Sequence, residues 1–68
     1  MYLSIGDRLD GQMIVGKGAR GNMFVKHRGI IVFIKGPPEA IKNLKEGDKV
    51  SIKIIETQKN FAEAEVLV

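Results

Sequence analysis

Read as a string of apolar and polar positions, most of the chain alternates with a period of two, the pattern of half-buried β-strands. From Asp7 to Val15, Leu9, Gly11, Met13 and Val15 fall on one face, and Arg8, Asp10, Gln12 and Ile14 on the other. Gly11 inside this run marks a bulge or tight bend, which a small barrel needs in order to close. Asn22 to Arg28 reads as a second strand, with Met23, Val25 and His27 alternating against Phe24, Lys26 and Arg28. Arg28-Gly29 supplies a turn, and Ile30 to Lys35 a third strand with nearly continuous apolar content. Two registers fit that third strand. With Ile30, Val32 and Ile34 inward, Phe24, Lys26, Arg28, Phe33 and Lys35 share one outer surface; the opposite register buries Phe33, the usual fate of a lone Phe.

Gly36-Pro37-Pro38 stops the sheet. Glu39 to Glu46 then reads as a short helix, with Pro at its start, Ile41 and Leu44 three apart, Lys45 in the last turn and Gly47 as terminator. Ile41 and Leu44 would plug one end of a barrel. Asp48 to Glu56 is a fourth strand, with Val50, Ile52 and Ile54 inward and Lys49, Ser51 and Lys53 outward. After a turn at Thr57 to Asn60, Phe61 to Val68 forms the fifth, with Ala62, Ala64 and Val66 inward and Phe61, Glu63 and Glu65 outward. Residues 1–6 are expected to fray, with Leu3 and Ile5 against the barrel. The fold class is therefore all-β: three strands, one short helix, then two strands, the order of a five-stranded OB-like barrel. In that fold the face of strands two and three, with its flanking loops, binds oligonucleotides.

Charge sharpens this picture. Between Gly11 and Pro38 there is no Asp or Glu, while Lys17, Arg20, Lys26, Arg28, Lys35, His27 and two of the three Phe fall inside that window. The segments on either side each sum to −1, so the +5 of the window accounts for the net +3 of the chain. Scattered solubilising charge would not leave such a gap. One-signed charge interleaved with aromatics on a β-ribbon is the footprint of a nucleic-acid-binding face. The pI near 9.5 agrees with an anionic partner.

Other classes have less behind them. Sixty-eight residues make one domain, 1–68, near the lower limit for a chain that folds alone. With no Cys there is neither a disulfide nor a thiolate metal ligand, which fits a reducing compartment and a cytoplasmic location. The longest apolar run, Ile30 to Ile34, is far short of the ~20 residues that span a bilayer. The N-terminus shows no basic-then-apolar signal pattern, and Tyr2 excludes myristoylation of a second-position Gly. The expectation is a soluble, monomeric protein with no membrane partner. Gly16-Lys-Gly-Ala-Arg-Gly21 matches G-x-G-x-x-G formally, but a dinucleotide fingerprint needs a helix to follow within a βαβ unit. Here strands follow. The run reads as an interstrand glycine loop, whose N–H groups, with Lys17 and Arg20, offer a phosphate site. His27 has no second ligand for a metal, and Ser4 and Ser51 have no oriented base, so no catalytic residue, cofactor, metal or small-molecule substrate is expected.

Two stretches also resemble a known family. Gly21-Asn-Met-Phe-Val-Lys-His-Arg-Gly-Ile-Ile-Val-Phe-Ile-Lys-Gly36 is similar to the Gly-Asp-Gly-Ile-Ala-Arg-x-x-Gly-Phe-Val-Val-Phe-Val-x-Gly run of TRAM domains. Glu46-Gly-Asp-Lys-Val-Ser-Ile-Lys-Ile, with Asn60-Phe-Ala-Glu-Ala-Glu-Val, resembles their closing strands. The resemblance covers roughly Gly6 to Val68. It implies a small RNA-binding β-barrel, of the kind that is appended to tRNA-modifying enzymes or stands free in archaea as RNA chaperones similar to cold-shock proteins. A chain of this length resembles the free-standing group. The resemblance places Lys26 at the family's Arg, Phe33 at the second Phe of Phe-x-x-Phe and Phe61 in the last strand. Departures are Ile30 for the first Phe, Asn22 for Asp, Met23 for Gly, Phe24 for Ile, Glu63 where some members have an aromatic, and a longer Pro37 to Glu46 segment. The expected RNA-binding set is Lys17, Arg20, Phe24, Lys26, Arg28, Phe33, Lys35 and Phe61, contacting single-stranded or partly structured RNA. A protein-interaction barrel and single-stranded DNA binding are the alternatives.

Overall fold

The structure, a computed structural model, describes residues 3–67. Five strands, β1 (Arg8–Lys17), β2 (Met23–His27), β3 (Ile30–Lys35), β4 (Lys49–Thr57) and β5 (Phe61–Leu67), close into a barrel in the order β1-β2-β3-β5-β4. All neighbours are antiparallel except β3 and β5, which run parallel. The parallel pair follows from the connection. The chain leaves β3, crosses through the single-turn helix α1 (Pro38–Ile41), and returns by the β4–β5 hairpin. This is the expected all-β, OB-like architecture.

β1 closes the barrel by serving two partners. Its first half pairs with β4 (Leu9 opposite Ile52, Met13 opposite Lys49) and its second half with β2 (Ile14 opposite Val25, Lys17 opposite Met23). One strand can bend between two neighbours only if it gains residues on the way, and β1 has two such irregularities. The first lies between Leu9 and Gln12, where Gly11 has φ 63°, and the second between Ile14 and Gly16. The first bulge changes which face points inward. Leu9 packs against the core and so does Ile14, five residues on, whereas Met13 and Val15 are 53% and 47% exposed. The bulge expected at Gly11 is present, but the face assignment across Asp7 to Val15 is corrected: beyond the bulge the inward phase passes from Met13 and Val15 to Ile14.

The remaining strands carry the core as their patterns predict. Ile14, Val25, Val32 and Ala62 sit opposite one another on four adjacent strands, and Ile34, Ala64 and Ile54 form the next layer. All seven are buried. The alanines of β5 leave room for the isoleucines of β3 and β4 in a barrel too narrow for large residues at every position. At the β2–β3 turn, Arg28 (φ 51°) and Gly29 (φ 83°) both adopt positive φ, the requirement of a type I′ hairpin whose twist matches its strands.

The helix differs from expectation. It spans Pro38–Ile41 rather than Glu39 to Glu46. One turn cannot sustain itself against the cost of nucleation, and the residues that follow find bonds elsewhere. Gly47 N–H donates to the Ile14 carbonyl (2.9 Å), Ile14 N–H donates to the Asp48 carbonyl (2.8 Å), and Lys45 N–H donates to the Asp48 carboxylate (3.1 Å). Ile41 and Leu44 still pack against the core, as the barrel-plug reading requires. Of residues 1–6, Met1 and Tyr2 lie outside the described residues. Leu3 enters the core, whereas Ile5 is 67% exposed rather than tucked in. Next to β1, Gly6 N–H donates to the Ile54 carbonyl (2.7 Å) and Ile54 N–H donates to the Asp7 carbonyl (2.8 Å).

Candidate nucleic-acid interface

The inward register of β3 decides where the aromatics go. With Val32 and Ile34 buried, Phe33 and Ile31 must point out of the barrel. Phe33 stands opposite Phe24 on β2, and Ile31 stands between Lys26 on β2 and Phe61 on β5. The three Phe rings form a continuous row: Phe24 to Phe33 at 6.0 Å between centroids and 64° between planes, Phe33 to Phe61 at 5.7 Å and 77°. Edge-to-face packing of this kind favours a defined mutual orientation of the rings. All three residues are half-buried and none belongs to the core.

Glycines carry this row onto β1. A Cβ at Gly16 would lie 3.7 Å from the Phe24 ring, and one at Gly18 would lie 2.9 Å from the Phe33 ring. The bare backbone at Gly18 is therefore a wall for Phe33 that no other residue supplies without moving the ring. The loop beyond is closed by its own bonds: Gly18 N–H donates to the Asn22 carbonyl (2.8 Å), and Gly21 N–H donates to the Gly18 carbonyl (2.9 Å). Those two amides are engaged, which corrects their assignment to phosphate. Arg20 lies at the tip of this loop.

Arg20, Asn22, Phe33, Lys35, Phe61 and Glu63 border an open concavity of about 400 Å³. Four of the eight expected residues thus meet at one place: Arg20, Phe33, Lys35 and Phe61. Phe24 adjoins them through Phe33, and Lys26 is one row further along β2. Arg28 lies apart, at the hairpin tip beyond the other end of β2. Lys17 faces a second depression of about 200 Å³, between the loop and α1, with Lys42, Ile41 and Leu44.

Ion pairs separate the cations. Lys35 Nζ lies 3.0 Å from Glu63 Oε2, whereas Lys17, Arg20, Lys26 and Arg28 have no ion pair among the described residues. The acid-free window in the sequence is therefore not acid-free in space, because parallel pairing places Glu63 beside Phe33. Arg8 and Asp10, 2.9 Å apart, lie just before the basic window in the chain, and the Arg8 guanidinium holds the Asp10 carboxyl below its usual range. His27 Nδ1 lies 3.3 Å from Gln12 Oε1, part-buried at the barrel end, the bland role expected of a lone histidine. Among the described residues no group of three His, Cys, Asp or Glu side chains is placed to hold a metal ion, and no helix is long and apolar enough to cross a membrane.

Asn22, Glu63 and the ring-supporting Gly18 were missing from the expected site. Outward phase in β5 was a signal for Glu63, but nothing in the sequence states that β5 lies beside β3. For Gly18 no sequence signal distinguishes a ring wall from an ordinary loop glycine.

No curated protein sequence matches the chain. Among solved structures it is similar to a conserved protein of Methanococcus maripaludis determined in solution, with a TM-score of 0.77 and 20% identity, covering 100% of this chain and 86% of that one. At that identity the likeness is one of fold. The family profile of the TRAM domain matches residues 10–67, a span that contains the aromatic row, the loop and the closing strands. The chain belongs to the TRAM domain family, whose barrels bind nucleic acid, RNA in general, and are not an enzymatic fold.

Proposed function

We propose that the protein, as one domain over 1–68, binds single-stranded or partly structured RNA with little sequence specificity and acts as a cold-shock-like RNA chaperone in the cytoplasm. The observation that carries this reading is the outward row Phe24–Phe33–Phe61 bordered by cations without carboxylate partners. Every base has a π-face, so stacking on Phe33 and Phe61 tolerates any sequence. Arg20, Lys26 and Arg28 track the phosphates, with Lys35 at the concavity and Lys17 on the flanking loop. Such contacts are individually weak and quickly exchanged. They hold strands open without capturing them permanently, and they need no nucleotide hydrolysis.

Fluorescence anisotropy with a labelled unstructured RNA and the matching DNA, at two salt concentrations, tests the reading. Micromolar or tighter RNA binding that weakens with salt is expected, and the DNA arm tests whether the 2′-hydroxyl is sensed. Absence of binding to either at low salt would instead favour a protein-interaction barrel, with Phe24 and Phe33 as interface anchors.

A further inference from the structure

We propose that the Lys35–Glu63 pair is a base-reading element, and that the concavity beside Phe33 and Phe61 is a subsite for one unpaired guanine. This inference rests on the RNA-binding reading and adds a position of base preference to an otherwise sequence-tolerant face.

A carboxylate on a polyanion-binding surface opposes its ligand. Glu63 nevertheless lines the concavity together with Arg20, Asn22 and two Phe residues, and is one-quarter exposed (25%). Its pairing with Lys35 at 3.0 Å makes the spot locally neutral. A neutral polar patch framed by aromatic rings suits a base better than a phosphate. The open volume of about 400 Å³ falls within the roughly 300–1,000 Å³ of small-molecule sites. Phe33 and Phe61, 77° apart, offer one ring as a stacking face and the other as a side wall.

Chemistry narrows the choice of base. The two oxygens of a carboxylate only accept hydrogen bonds, with about four lone-pair sites between them, and an ammonium only donates, with three N–H groups. Taken in the order Glu63 Oε1, Glu63 Oε2, Lys35 Nζ, with Oε2 the oxygen that meets the ammonium, the pair supplies acceptor, acceptor, donor. That is the order on the Watson–Crick edge of cytosine, and it complements guanine: N2–H and N1–H donate to the carboxylate while O6 accepts from Lys35. Adenine and cytosine each set one amino donor beside a ring-nitrogen acceptor, and uracil flanks its single N–H with two carbonyls. Each would turn a lone pair toward a carboxylate oxygen. Guanine alone offers two adjacent donors. Sugar–phosphate on either side of the bound base then meets Arg20 at the loop tip.

The test titrates the full chain with a labelled oligouridine and with versions carrying one central guanine, inosine, adenine or cytosine, at low salt. A single guanine should tighten binding about tenfold over uridine. Inosine, which lacks the N2 amine, should lose most of that gain, and adenine and cytosine should show none. Glu63→Gln should erase the guanine advantage while tightening binding to plain oligouridine, because a negative charge leaves the face. A circular-dichroism melt confirms that this half-exposed-face variant remains folded. Equal affinity for all five oligonucleotides would overturn the subsite while leaving RNA binding intact. Retention of a guanine advantage in Glu63→Gln would assign the preference to stacking and overturn the role of the pair. Absence of binding even to oligouridine would remove the RNA reading itself.

Discussion

Phe33 is held from three sides, by the Gly18 backbone and by the rings of Phe24 and Phe61, so its orientation is set before any ligand arrives. A base stacking on it has no ring to order first. Phe33→Ala is expected to weaken RNA binding by about 1–3 kcal/mol while the salt slope stays where it was; unaltered affinity in anisotropy titrations would remove Phe33 from the interface. Gly18→Ala tests the same residue indirectly. Its methyl would lie 2.9 Å from the ring, so the ring must swing, and affinity should fall without any charge or aromatic having been removed. Arg28 offers the opposite trade. Its φ of 51° is a left-handed conformation that Asn tolerates better than Arg. Arg28→Asn should therefore raise the melting temperature and still lower RNA affinity, with the salt slope smaller by about 0.7. A variant that gains stability at no cost in binding would show that Arg28 contacts no phosphate.

Among the elements, β5 lies between parallel β3 and antiparallel β4. Its two inward alanines, both fully buried, decide how tightly the barrel closes. Ala62→Leu is expected to cost about 1–3 kcal/mol in urea denaturation, as overpacking does. β5 was legible from Phe61 onward, since its inward and outward residues alternate without interruption. β1 was not, because its hydrophobic pattern stays regular across Gly11 while its backbone does not. An extra residue shifts the phase by one and exchanges Ile14 for Met13. The helix was legible in existence but not in length. Its first turn carries Pro and Glu signals, whereas its end is set by the bonds of Gly47 and Asp48 to Ile14 on a different strand.

At the scale of the molecule, a barrel of this size has little stability in reserve, on the order of 3–10 kcal/mol at typical per-residue values. Ile52→Ala, at a fully buried site, should cost about 2–5 kcal/mol, a large share of that reserve, and lower the melting temperature accordingly. The charge distribution is also a property of the whole. Within the basic window, Lys17, Arg20, Lys26 and Arg28 lack ion-pair partners among the described residues, and Lys35 is paired to Glu63. If the four all reach phosphates, log K should fall with log salt at a slope of about −2.8 for a single strand, and Lys35 adds to it only if it leaves Glu63. A slope near −1 would mean that most of the basic window faces away from the ligand.

Local alternation, turn chemistry and charge order are properties of neighbouring residues. For that reason the strands, the Arg28-Gly29 hairpin and the single-signed window could be read directly from the chain, whereas the outward set followed from only one of two possible registers. Which strands lie side by side is not local. Only closure of the barrel brought β5 against β3, joined Phe61 to the row begun by Phe24, and carried Glu63 from the acidic C-terminal half to Lys35. The same closure placed the Gly18 backbone against the Phe33 ring. The sequence by itself determined a one-signed basic window with two Phe on neighbouring strands, and the register that turns those rings outward came with closure of the barrel. Tertiary pairing, by setting register between segments some thirty residues apart, decided that the face contains a carboxylate.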